Sequence, residues 1–268
     1  MERNTDTNIQ PHKPEATSPA KAIKYLTNQG LADFRKCPSL YHENSRRAEW
    51  TKWPGDHMDQ VVHCAILEKA DVLWARYAVG GPVNPVTKKF YDTDAPEFAA
   101  WAAAHGKPVL MPDQLLLSCW MNVGVVTNRQ VQKLLKKGVA GAVLRADYRD
   151  VACKIHMDWL NPDRGIVDFR ICDDLSHFEA EARRRQYAHD VAFSRSVLAE
   201  HIGWFPACYI VAVENREPHR CGVWQIGEET LRWCANDNDM AIDRLKECRR
   251  LNKWPTGYEE IRVFDALK

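Results

Sequence analysis

The chain has 268 residues, 45% hydrophobic and 27% charged, with a formal net charge of +1. These are ordinary proportions for a globular protein able to bury a substantial core. So small a net charge excludes a histone-like binder: nucleic acid would need a local basic patch beside a locally acidic site. No run approaches the roughly eighteen apolar residues of a membrane span, and the N-terminus lacks the apolar core of a signal peptide. The nine cysteines form no CxxC pair, which reads as reduced thiols in a cytoplasmic protein. Cys208, Cys221, Cys234 and Cys248 are too widely and evenly spaced for a zinc or iron–sulfur set and read as buried free thiols.

Residues 1 to about 21 are polar and proline-bearing and read as a disordered arm, with one folded domain over 22–268. "GLADFRKCPSLYH" predicts a short helix stopped near Pro38, and Met58–Val79 a longer one. "DAPEFAAWAAAHG" predicts a helix ending at Gly106. From Pro112–Asp113 a helical pattern runs through "LLKKGVAG". The period then changes to two: "VACKIHMD" and "GIVDFRI" read as strands joined by the turn "WLNPDRG". A helical stretch from Leu175 to about Ile202 follows, then the buried strand Ala207–Glu214 with "GVWQI" as its partner. A closing helix is stopped by Pro255. Helices first, then a sheet with a helix crossing between strands, describe an α/β fold.

The pleat sorts the middle of the chain. Val167, Phe169 and Ile171 point one way; Asp168 and Arg170 point the other. Lys154, His156 and Asp158 share one face of the preceding strand. A hairpin would bring Asp158 and Asp168 together as oxygen ligands for a hard divalent cation such as Mg²⁺. The competing reading is a half-exposed hairpin with solvated charges. On the following helix, Ala188, Val191, Ala192, Leu198 and Ile202 form a sheet-facing stripe, with Tyr187, Asp190 and Ser194 on another side. Arg183, Arg184 and Arg185 lie close in sequence to the acidic pair and could hold phosphates or form a solvated helix turn. His63 sits in the apolar stretch "VVHCAILE", where a packed core histidine and a ligand are both open.

In order and spacing, "GLADFRKCPSLYH", "VVHCAILE", "CKIHMDWL", "GIVDFRICDD", "YAHDVAFS", "VAVENREP" and "KWPTGYEE" resemble the nuclease domain of the RecE-type exodeoxyribonucleases (exonuclease VIII). These belong to the PD-(D/E)XK superfamily. The resemblance covers roughly residues 23–265 and implies a PD-(D/E)XK nuclease-like α/β fold, a central mixed sheet flanked by helices. It implies metal ligation by His63, Asp158, Asp168 and the Phe169 carbonyl, with Mg²⁺ (or Mn²⁺) as cofactor and Arg170 in the place of the catalytic lysine. The implied reaction is ATP-independent degradation of linear double-stranded DNA from its 5′ ends, leaving 3′ single strands. A ring-shaped homo-oligomer and a RecT-type single-strand annealing partner are implied as well.

The chain departs from the family's pattern around the site. Besides Arg170 for lysine, Asp190 stands for a glutamine, Ser194 for a tyrosine and Asp59 for a glycine. Only Ala142 or Val143 falls where the family tends to carry a glutamate. Arginine can neutralise a developing anion but cannot act as a base, because guanidinium stays protonated. Two readings therefore stand: an active exonuclease, and a non-catalytic relative that binds DNA ends or another nuclease. Under either, Arg46 with Arg47, Lys133 with Lys136 and Lys137, and Arg249 with Arg250 offer a basic DNA path or solvated helix faces.

Overall fold

The computed structural model describes residues 10–11, 24–46, 57–68 and 70–263 of the chain. The expected arm lies outside them except for β1 (Gln10–Pro11), whose backbone pairs with Val143 and Ala142. α1 (Asn28–Lys36) begins where Thr27 Oγ1 accepts the Gly30 amide at 3.1 Å. The helix stops as expected near Pro38, at Lys36 with Cys37 in extended backbone, and Pro38 itself then opens a second helix, α2 (Pro38–Arg46). Proline suits a first helical position, where its missing N–H would have no intrahelical partner anyway.

The long helix expected over Met58–Val79 is two, α3 (His57–Leu67) and α4 (Ala70–Arg76), followed by β2 (Ala78–Val79). α5 (Pro96–His105) ends as expected at Gly106, whose φ of 59° suits glycine. β3 (Val109–Leu110) pairs in parallel with β2. The helical pattern after Pro112 also divides, into α6 (Pro112–Thr127) and α7 (Arg129–Leu135). Asn128 makes the break: its side chain accepts the Gln130 and Val131 amides and so starts a new helix.

β4 (Val139–Tyr148), β5 (Val151–Asn161) and β6 (Gly165–Cys172) then form an antiparallel meander. The expected helix Leu175–Ile202 is a 3-10 turn, α8 (Phe178–Arg184) and α9 (Tyr187–Ile202), broken at Gln186 with φ 58°. This crossover returns the chain to β7 (Cys208–Glu214), parallel to β6, and β8 (Cys221–Gln225) pairs with β7 as its antiparallel partner. Gly165 is required where β6 meets β7, since a Cβ there would lie 2.0 Å from the Ala207 carbonyl oxygen. α10 (Glu228–Leu251) closes the fold, ending at Asn252 in left-handed backbone before Pro255 is reached.

The mixed sheet runs β1-β4-β5-β6-β7-β8 with helices on both faces. On one face Ile155, Met157 and Ile166 pack with Val191, Ala192 and Leu198 of α9, while Leu231, Ile242 and Leu245 of α10 join the same core. On the other, Val167, Phe169, Val211 and Val213 pack with Val62 of α3, Met121 and Val125 of α6 and Leu134 of α7. The sheet-facing stripe expected on α9 holds, but α9 is buried on its opposite side as well, because α10 covers it. All nine cysteines are free, and Cys208 and Cys234 are buried while Cys221 and Cys248 are half-buried. No helix among the described residues is long and apolar enough to cross a membrane.

Candidate active site

Pairing between β5 and β6 runs Asn161↔Gly165, Leu160↔Ile166 and Trp159↔Val167. The next two positions are Asp158 and Asp168. There the strands part, and a side chain takes over from the ladder: Asp158 Oδ2 accepts the Phe169 amide at 2.7 Å. The strict alternation expected of β5 also slips here. Met157 packs in the α9-side core with Cys153 and Ile155, and Leu160 packs against that same core. Opposite the slip, β4 carries Gly141 at φ 57°, between the pairs Ala140↔Trp159 and Ala142↔Met157. A local departure from strand regularity that re-aims one side chain is a recurrent way to build a site.

α3 crosses this opening and brings His63 to it. His63 Nε2 lies 3.2 Å from the Phe169 carbonyl oxygen and 3.6 Å from Asp158 Oδ2. His156 Nδ1 approaches Asp158 Oδ1 at 3.8 Å from the same strand. Asp158, His63 and the Phe169 carbonyl therefore converge.

Asp168 is engaged differently. Arg170 grips it in a fork, Nε to Oδ2 at 2.6 Å and Nη2 to Oδ1 at 3.0 Å, the bidentate geometry that makes guanidinium–carboxylate pairs strong. The Arg170 guanidinium lies over the Tyr187 ring, 4.2 Å from its centroid. Its Nη2 is also 4.0 Å from Asp190 Oδ2. Beyond Asp190 stands Arg35 of α1, Nη2 3.7 Å from Asp190 Oδ1. Arg35 is fixed by hydrogen bonds to Asn238 of α10 and to Gln186 in the break before α9. Ser194 accepts from Asn28 Nδ2 at 2.8 Å, tying α9 to the start of α1. Nothing in the sequence marked Arg35, Asn28 or Asn238. Their one signal is indirect: three crowded carboxylates demand more cation than Arg170 supplies.

Electrostatics differ among the three acids. Burial pushes Asp158 up, but His63, His156, Arg170 and the Phe169 amide outweigh it and hold the carboxyl below its ordinary value. Burial raises Asp168; Arg170 restrains the rise, and the carboxylates of Asp158 and Asp190 add to it. Burial takes Asp190 up to about 6 against the pull of Arg170 and Arg35. Burial works against the Arg170 charge too, yet the three carboxylates around it hold its pKa above the ordinary value.

Carboxylate, imidazole and carbonyl donors suit a hard divalent cation, so Asp158, His63, Phe169 and Asp168 fit one in kind. They do not yet fit in arrangement. Both Asp168 oxygens are committed to Arg170, and among the described residues no three His, Cys, Asp or Glu side chains cluster as a metal site. A cation drawing on the Asp168 lone pairs that Arg170 now occupies would displace the arginine.

The arginine triplet lies apart from this chemistry. Arg183 and Arg185 pair with Glu179 and Glu181 one helical turn away, at 3.7 and 2.8 Å, and Arg184 is exposed. Lys133, Lys136 and Lys137 are brought together. With Arg164, Asn161 and Asp163 they line a cleft of about 590 Å³ at the tip of the β5–β6 hairpin.

A family model for a PDDEXK-like domain of unknown function (DUF3799) matches residues 86–266. The chain belongs to this PDDEXK-like family. The match leaves out α1 and α3, which supply Arg35 and His63. A solved structure from Eubacterium rectale, of a protein provisionally described as an exonuclease, superposes with a TM-score of 0.62 at 10% identity, covering 91% of each chain. At that identity the likeness shows a shared fold. An alkaline exonuclease from Laribacter hongkongensis, LHK-Exo, matches over 86% of this chain and 93% of its own at 11% identity, with a TM-score of only 0.34. No curated protein matches the chain. The PDDEXK-like assignment agrees with the mixed sheet, its flanking helices and the acidic pair at the parted hairpin.

Proposed function

We propose that this PDDEXK-like protein is a metal-dependent exonuclease of the RecE type. It degrades linear double-stranded DNA from 5′ ends without ATP and leaves 3′ single strands for phage-type recombination. One observation carries the reading: Asp158, His63 and the Phe169 carbonyl converge where β5 and β6 part, with Asp168 at the next position of β6 held by Arg170. A divalent cation held by these groups would polarise a phosphodiester and acidify an attacking water. Arg170 sets positive charge beside the scissile phosphate and stabilises the anion that builds up in the transition state. It cannot take a proton from the water, so rate is lost relative to a lysine at this position. Full loss of general-base help costs about 10²–10⁴-fold.

The cleft at the hairpin tip supports a path for the DNA backbone. Its four cations outnumber the single acid, Asp163, and it lies three residues from Asp158, about 10 Å along a strand. We assign backbone contact to Lys133, Lys136, Lys137 and Arg164 before Arg183, Arg184 and Arg185, two of which are already paired within α8 and its end. A ring-shaped homo-oligomer, a RecT-type annealing partner, a cytoplasmic setting and a single folded unit over residues 22–268 complete the reading.

The fork of Arg170 on Asp168 favours a second reading, a DNA-end-binding relative whose arginine blocks the metal. Strand-labelled, 5′-phosphorylated linear duplex and closed circular DNA incubated with Mg²⁺ or Mn²⁺ separate the two. The exonuclease reading predicts loss of the 5′-ended strand from linear DNA alone, absent from Asp168→Ala. Binding of linear ends without turnover in any metal would establish the second reading instead.

A further inference from the structure

Asp190 is the least settled charge in the site. Its Oδ1 is buried and has no hydrogen-bond partner among the described residues. The two cations beside it, Arg35 and Arg170, stand at 3.7 and 4.0 Å, both beyond hydrogen-bonding reach. A buried acceptor left unbonded is unfavourable, so the position calls for a donor that arrives in another state of the site. Oδ1 faces Arg35, which is anchored elsewhere; Arg170 faces the other oxygen, Oδ2, and is the donor that can move onto this carboxylate. Its Nη2 already spans the two carboxylates, bonded to Asp168 at 3.0 Å and 4.0 Å from Asp190. A shift of about 1 Å brings it to hydrogen-bonding distance of Asp190. The Tyr187 ring beneath the guanidinium supports it without fixing it along the plane. Arg35, anchored by Asn238 and Gln186, holds Asp190 in place.

Charge points the same way. Asp158, Asp168 and Asp190 face the two guanidiniums of Arg170 and Arg35, so the set carries one negative charge in excess before any cation arrives. A neutral amide at position 190 would remove that excess and leave more of the added cation's charge uncompensated.

We propose that Asp190 is a positioning residue that receives Arg170 when a divalent cation takes Asp168. The exchange turns the arginine from a blocker of the metal site into a neighbour of it. This rests on the metal-dependent reading above.

Binding of Mn²⁺, followed by loss of the free-ion electron paramagnetic resonance signal, tests the exchange without any activity assay. The proteins compared are the full-length native chain, Asp190→Asn, Arg170→Gln and the double variant, each checked for folding by thermal melt. Asp190→Asn is expected to weaken Mn²⁺ binding about 10- to 100-fold, as loss of an outer partner of a metal ligand does. The double variant should bind like Arg170→Gln, because no arginine is left to be rehoused. Asp190→Glu, which keeps a carboxylate, should bind close to native and serves if the amide variant folds poorly. Native-like binding by Asp190→Asn overturns the proposal. So does a double variant that falls as far below Arg170→Gln as Asp190→Asn falls below native, since Asp190 then acts independently of Arg170. Binding by Arg170→Gln with none by the native protein also overturns it, while leaving the metal reading intact. If none of the four binds Mn²⁺, the metal reading itself fails and the exchange falls with it.

Discussion

The two ends of the β5–β6 pairing are opposite in character. At the tip, cations stand in an open cleft, and among the described residues only Lys137 of them is ion-paired, with Asp163 at 3.2 Å. Three residues away, where the strands part, the charges are partly buried and engaged with one another: Asp158 with His63 and an amide, Asp168 with Arg170, Asp190 between two arginines. Exposed charges interact weakly at physiological salt and are available to a polyanion. Buried charges are screened little and must be neutralised in place. Under the proposed function, the tip holds a backbone without chemistry and the parted end acts on one phosphate.

Mutations should separate the two ends. Replacing Asp158 by Ala removes the carboxylate that faces His63 and bonds Phe169, and should lower DNA hydrolysis at least about 10³-fold. DNA affinity in the absence of metal should stay near native, as a filter-binding assay would show. An equal loss of binding would mean that the ends are not separable. Charge reversal at the tip, Lys133→Glu with Lys136→Glu, should weaken DNA binding about tenfold. It should also reduce the slope of log affinity against log salt by about 1 for each phosphate that is no longer neutralised. An unchanged slope places the backbone elsewhere.

The frame of the tip can be tested through stability. Asn161 is 2% exposed, donates to the Leu134 carbonyl at 2.6 Å and accepts the Asp163 and Arg164 amides. Asn161→Ala leaves these groups unpaired and should cost about 2–3 kcal/mol, seen as a Tm lower by about 5–10 °C. The smallest effect is expected in the arginine triplet. Arg183→Ala with Arg185→Ala removes exposed pairs one helical turn apart and should change stability by less than about 1 kcal/mol, with DNA affinity unchanged.

Much of this layout is legible in the sequence, for reasons of period and spacing. The alternation of "VACKIHMD" and "GIVDFRI" gives β5 and β6, and "WLNPDRG" gives the turn that brings Asp158 opposite Asp168. β4 is hidden because its hairpin to β5 turns through Arg149 and Asp150, both at positive φ, in place of the Asn-Gly or Asp-Gly that announces such turns. Helix breaks at Asn128 and Gln186 are hidden because neither is Gly or Pro; the first breaks by side-chain capping, the second by adopting left-handed backbone. Arg35 could not be found from local pattern at all. It sits in a recognisable first helix, but its reach to Asp190 crosses 155 positions of chain and depends on how α1 packs on α9 and α10.

The central claim is that arginine suffices where a lysine is expected. It is tested most directly by single-turnover digestion of 5′-phosphorylated linear duplex in Mg²⁺, comparing the native protein with Arg170→Lys. Measurable digestion by the native protein is expected, with a faster rate in the lysine variant, by at most about 10²–10⁴-fold. Equal rates would contradict the role given to Arg170, and silence from both would contradict the exonuclease itself.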